Sequence, residues 1–171
     1  MAEGVFGVEV VTPERSLVAG GARSVVLATS DGDLTVLDGH TPLVGDVVPC
    51  QVRVELPDGT ELVLAVHGGF VQVDTSPGAA AGLAEGDGPL AGLSTRVTVL
   101  AGVAELAGEI DVARAELARE LATQQVSEAT AGRGPAAEAG EGTAEANLAL
   151  AEARDALARA ELRLSTVAGR S

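Results

Sequence analysis

The chain has 171 residues and a formal net charge of −14, a length that suits one medium domain or two small ones. Phe6 and Phe70 are the only aromatic residues and all positive charge is carried by Arg, so the basic, aromatic-lined surfaces that bind nucleic acid are missing and nucleic acid is excluded as a partner. Hydrophobic residues make up 46% of the chain, enough for a core, which must be built from Val, Leu and Ala.

From Val5 to Leu100 the sequence reads as β structure: short Val-rich runs broken by Gly, Pro and Asp. Strands are expected at Val5–Val11, Ser16–Val18, Val25–Thr29, Leu34–Leu37 and Val47–Val54. The clearest unit follows. Val52, Val54 and Leu56 alternate with Arg53 and Glu55, the period of a half-buried strand. "PDGT" at Pro57 to Thr60 supplies a tight turn, and Leu62, Leu64 and Val66 resume the alternation. Gly68 and Gly69 interrupt it before Phe70–Val73, and Arg96–Leu100 closes the set. Many short strands separated by turns suggest a sandwich or barrel. The Gly- and Pro-containing stretch at 75–94 reads as a surface insert.

The period changes at Glu109. Ile110, Leu117 and Leu121 fall on one stripe at helical spacing. A second insert, 127–142, is rich in Gly. A second helix is expected from about Thr143 to Val167, with Ala146, Leu150, Ala153, Leu157, Ala160 and Leu164 as its stripe. Two antiparallel helices joined by a loop form an αα-hairpin. Its stripe is rich in Ala, whose burial removes little apolar area, so the hairpin is expected to be weakly packed and a candidate moving part. The expected fold is therefore α+β: an N-terminal antiparallel β-sandwich over 1–101, then a helical hairpin over 102–171.

Cys50 is the single cysteine, which fits a reducing compartment. The N-terminal run "MAEGVFGVEVVTPE" has no basic region ahead of an apolar one, so no signal peptide is expected, and no stretch approaches a membrane span. Three local patterns carry no chemistry. "DGDLTVLDGH" places Asp31 and Asp33 as a calcium loop would, but Val36 stands where Gly is needed and no Glu closes the loop. "VHGGF" lacks the nucleophile elbow that an esterase would require elsewhere. Two His and one Cys scattered along the chain make no metal site.

Five segments in series are more specific: "VEVVTPER" at Val8 to Arg15, "GDLTVLDGHTPLVGDV" at Gly32 to Val47, "VHGGFVQV" at Val66 to Val73, "RVTVLAGVAELAGEIDVARAE" at Arg96 to Glu116, and "ALARAELRLS" at Ala156 to Ser165. Together they resemble the epsilon subunit of bacterial F-type ATP synthase, over the whole chain apart from the two inserts. The resemblance implies a non-catalytic subunit of the rotating central stalk. Its β domain would bind the gamma subunit and rest on the c-ring, coupling proton flow to ATP synthesis. Its hairpin would regulate, extending along gamma toward the alpha and beta catalytic subunits to block ATP hydrolysis. The implied location is peripheral, on the cytoplasmic face of the bacterial cell membrane.

The same resemblance supplies the candidate site. No cofactor is expected for catalysis, but the family's nucleotide-binding members carry I/L-D-x-x-R-A at the start of the first helix. Here it is complete as Ile110, Asp111, Arg114 and Ala115, with Glu105 matching the upstream acid and Arg159 and Arg163 matching an Arg pair on the second helix. Guanidinium groups suit a triphosphate because they are delocalised and multidentate, so ATP is implied as a regulatory ligand. A further arginine expected seven residues after the first is replaced by Leu121. The competing reading is that Asp111 caps the helix and pairs with Arg114, and that Arg159 and Arg163 are a solvated face. His40, in "DGHTPL", is either a structural turn residue or a contact to the ring. There is no Walker loop, so hydrolysis by this chain is not expected. The alternative to a stalk subunit is a free-standing adaptor whose hairpin folds on binding; copurification with gamma separates the two.

Overall fold

The computed structural model describes residues 4–77, 79, 93–131 and 142–169; most of the two expected inserts lies outside them. Among the described residues ten strands precede two helices: β1 Phe6–Val11, β2 Ser16–Ala22, β3 Ser24–Thr29, β4 Gly32–Val36, β5 Leu43–Val47, β6 Cys50–Glu55, β7 Glu61–Val66, β8 Gly69–Asp74, β9 Arg96–Ala101, β10 Ala104–Leu106, α1 Val112–Ala131 and α2 Gly142–Ala168. The helix-rich tail after a β domain confirms the expected α+β class.

The strands form one continuous hydrogen-bonded sheet in the order β10-β7-β6-β3-β5-β8-β9-β1-β2, with β4 paired to β3. The sheet turns its corner at β3. That strand pairs with β6 through Ser24, Val25 and Val26, but with β5 only at Thr29. The pairings are antiparallel except for β1 beside β9, which run parallel. Alternation decides what is buried. Val8 and Val10, Val52 and Val54, Val71 and Val73, Val97 and Val99 point inward around Phe6, Leu27 and Leu64. Each fully buried Val or Leu contributes about 1.5–3 kcal/mol, so a core without a second aromatic is sufficient.

The "PDGT" turn forms as expected. Gly59 has φ +85°, Leu56 N–H donates to Thr60 O at 2.8 Å, and the Asp58 carboxylate accepts from Thr60 N–H at 2.9 Å. That backbone donor holds the Asp58 pKa below its ordinary value.

Three expectations need correction. Val47–Val54 is not one strand: the chain breaks at Val48 and Pro49, giving β5 and β6, because proline has no N–H for the ladder. The β domain does not end at residue 101. β10 follows, antiparallel to β7 through Ala104, Glu105 and Leu106, and Ala107 N–H donates to Val63 O at 2.8 Å. The compact β unit therefore runs to Glu109, and the second unit begins at Ile110. The third correction concerns α1. Leu117 and Leu121 are 57% and 51% exposed, while Ala115 and Ala122 are buried. Ala118, Val126 and Ala129 continue the true stripe as half-buried residues. Small side chains on one helix let the other approach closely, and a Leu stripe on α1 would hold α2 away.

On α2 the expected stripe holds, with Leu150, Ala153 and Ala160 buried and Ala146, Leu157 and Leu164 half-buried. α1 also runs through Ala131 and so occupies the first part of the expected 127–142 insert.

Candidate functional site

The two units hold the candidate residues separately. In the β unit, His40 lies in the turn after β4. Gly39 takes φ +76° there, His40 N–H donates to Leu37 O at 3.1 Å, and the ring Nδ1 lies 2.8 Å from Thr41 O, which only accepts. Nδ1 therefore carries the proton in this arrangement. The turn is tied to the start of β9 by Gly39 N–H, which donates to the Oγ1 of buried Thr95 at 3.0 Å. These contacts give His40 a structural role in the turn.

Glu105 sits on β10, half-buried, with Oε2 3.7 Å from Nε2 of the buried His67. Its strand is held by the register Glu105↔Ala65 and by His67 N–H donating to Val103 O at 3.0 Å. Beside it is a cleft of about 370 Å³ lined by Thr12, Glu14, Arg15, Val103, Glu105 and Glu109. Arg15 and Glu109 form an ion pair across its rim.

The hairpin unit carries the rest. α1 begins at Val112, which makes Asp111 its N-cap. Asp111 Oδ1 accepts the backbone N–H of Arg114, the third helical residue, at 3.0 Å, and Asp111 O accepts Ala115 N–H at 3.0 Å. This is the standard N-cap arrangement. Ile110 and Ala115, both buried, stand at the two positions of a hydrophobic staple, one residue before the cap and four after it. Starting the helix therefore accounts for Ile110, Asp111 and Ala115. The Asp111 carboxylate bonds the amide of Arg114 and not its guanidinium. Arg114 is exposed, so its side chain is the part of the motif that the helix start does not require.

On α2, Arg159 is exposed and Arg163 half-buried, one turn apart. The helices pack antiparallel, with Gln125 and Glu128 of α1 beside Ala149 and Glu152 of α2. Arg114 lies eleven residues before Gln125, and Arg163 eleven residues after Glu152. The pairing thus sets these two arginines at about the same level of the hairpin, at equal rise per residue. Leu121, where a further arginine was expected, is exposed; Arg119 is exposed too.

Sequence reasoning missed the outer face of the sheet. Phe70 and Leu100 are direct cross-strand partners on β8 and β9, 55% and 48% exposed, and exposed Val44 on β5 lies diagonal to Phe70, whose direct β5 partner is Asp46. Their neighbours Val71 and Val99 are wholly buried, so the alternation alone could have identified this pair as outward-facing. It is an apolar contact on the solvent side, a feature that marks interaction surfaces when it extends.

Comparison with known proteins points one way. Residues 5–77 match the family model for the ATP synthase delta/epsilon chain β-sandwich domain. The chain is 37% identical over 121 residues to the ATP synthase epsilon chain of Brevibacillus brevis, covering 71% of this chain and 77% of that one. It is 39% identical over 127 residues to that of Desulforudis audaxviator, covering 74% and 78%. In fold it is similar to a chain of the Euglena gracilis mitochondrial ATP synthase, with a TM-score of 0.63 at 18% identity over 92% of this chain and 78% of that one.

Proposed function

The chain belongs to the ATP synthase epsilon-chain family, and from that premise we propose a two-part role within the complex. The β domain docks on the gamma subunit of the central stalk through the Phe70–Leu100 face and sits on the c-ring with the His40 turn toward it, so that rotor motion is coupled to ATP synthesis. The hairpin regulates. It restrains ATP hydrolysis when extended toward the alpha and beta subunits and takes ATP as a ligand when folded. The chain itself is non-catalytic, because its sequence has no phosphate-binding loop. No helix among the described residues is long and apolar enough to cross a membrane, and the proposed association is peripheral, on the cytoplasmic face of the bacterial membrane.

One observation carries the regulatory half. The hairpin closes on a seam of Ala115 and Ala122 with Leu150, Ala153 and Ala160, and leaves Leu117, Leu121 and Leu148 more than half exposed. Those three leucines stand outside the α1–α2 seam and remain available to a partner surface.

The nucleotide part rests on Asp111, Arg114, Arg159 and Arg163 of the hairpin, and Arg114 gives the cleanest test. Arg114→Ala should leave hairpin melting unchanged and weaken ATP binding about tenfold or more, the loss of one charge-assisted contact of ~1.5–3 kcal/mol. Arg159→Ala and Arg163→Ala should weaken it similarly. Asp111→Ala should cost about 1 kcal/mol of helix stability whether or not ATP binds. Titration calorimetry on the wild-type chain comes first. No heat at ~10 mM ATP, about ten times a millimolar Kd, removes ATP from the proposal and leaves "EIDVARAE" as a helix start.

A further inference from the structure

Glu109 is the last residue of the β unit, and Arg15 reaches it from the turn between β1 and β2, 94 residues away in sequence. The contact is a fork: Arg15 Nη1 donates to Glu109 Oε1 at 3.3 Å and Nη2 donates to Oε2. The Arg15 side is well fixed. Thr12 N–H and Thr12 Oγ1 both donate to Arg15 O, at 2.9 and 3.0 Å, and Arg15 N–H donates back to Thr12 Oγ1 at 3.2 Å. The Glu109 side is held less firmly. After Ala107, whose N–H donates to Val63 O, come exposed Gly108 and then Glu109, whose N–H returns only to Leu106 O at 2.9 Å.

We propose that the Arg15–Glu109 fork is a latch that sets where the β domain ends and the tether to the hairpin begins. Closed, it fastens the chain to the domain through Glu109. Open, it frees the chain back toward Leu106. Three residues, Ala107 to Glu109, add up to about 10 Å of extended reach, the length of a helix diameter. Both side chains are about half exposed, 54% and 45%. An exposed pair of this kind adds little to stability and is sensitive to salt, which suits a contact meant to open. The fork geometry requires Arg rather than Lys as the cation of the pair. Glu14 and Glu105 line the same cleft and are the nearby alternative acceptors for Arg15. The value of a variable tether rests on the proposed regulatory hairpin; the latch itself does not.

Amide hydrogen exchange on the full chain tests it. Arg15→Gln and Glu109→Gln should each speed exchange at the Ala107 amide about two- to fivefold, the range an exposed ion pair allows. Val97 and Val99 in β9 should exchange at wild-type rates. Raising salt should speed Ala107 exchange in the wild type and not in the variants. The swap Arg15→Glu with Glu109→Arg should restore wild-type protection. Unchanged exchange at Ala107, equal acceleration across β9, or a swap that fails to restore protection would each overturn the latch. None of these readings depends on ATP binding or on inhibition of hydrolysis, so failure of the latch and failure of the regulatory role are separable.

Discussion

Gly69→Ala is expected to destabilise the β domain by about 3 kcal/mol or more, the range of changes that force backbone strain and disrupt a core together. Gly69 has φ +151°, and a Cβ there would lie 2.1 Å from Leu100 O and 3.0 Å from Ala101 Cα. Both atoms are backbone, so no side chain can swing aside. Gly69 is also the shared corner of two ladders, paired with Ala101 on β9 and with Val47 on β5. Making room means parting β8 from β9, and those strands carry Val71, Val73, Val97 and Val99 into the core. Gly102→Ala is the control. It lies just beyond the same strand end, with open space where the Cβ would be and no positive φ, and should change stability by less than about 0.5 kcal/mol. Urea denaturation of the two variants distinguishes them; a Gly69→Ala midpoint equal to wild type would mean that β8 and β9 are not locked as described.

The second large effect is on assembly. Replacing both Phe70 and Leu100 by Ala should leave the β domain folded, because the pair faces outward and its cross-strand contact is worth only about 0.2–1 kcal/mol. Docking to gamma should weaken about thirtyfold or more, corresponding to the loss of ~2 kcal/mol at a buried aromatic and aliphatic anchor. Phe70 is the larger anchor: it is the single exposed aromatic of a chain that has two. Affinity measured by interferometry against immobilised gamma reads the effect directly, with a thermal melt to show that the fold survives. An unchanged Kd would move the docking surface elsewhere on the domain.

The β domain was legible in the sequence wherever alternation and turn chemistry agreed, as they do from Val52 to Val66 around "PDGT". It was not legible where pairing depends on distant partners. β10 is only three residues long and exists because β7 offers Leu64, Ala65 and Val66 as a ladder; nothing local in "AEL" announces it. The corner at β3 is invisible for the same reason. On the hairpin, hydrophobicity misled. Leu117 and Leu121 looked like the buried stripe because they are the large apolar residues, yet the seam selected Ala115 and Ala122, which allow closer approach. The partner helix determined that choice. The start of α1 is the opposite case: Asp111 and Arg114 could be read in sequence either as part of a ligand motif or as a helix cap with an ion pair. The structure forms the cap without the ion pair, adds Ile110 and Ala115 at the staple positions, and narrows any nucleotide test in that segment to the Arg114 side chain.

The most direct test of the proposed role is ATP hydrolysis by the assembled complex carrying either the full chain or a version ending at Glu109. That end point keeps β10 and the Arg15–Glu109 pair, which an end at residue 101 would remove. Coupled synthesis should be retained by the shortened chain, because the proposed docking face is intact. Hydrolysis should rise on the order of fivefold or more, the lower range of coupling between distinct sites. Retained assembly with unchanged hydrolysis would contradict a regulatory hairpin.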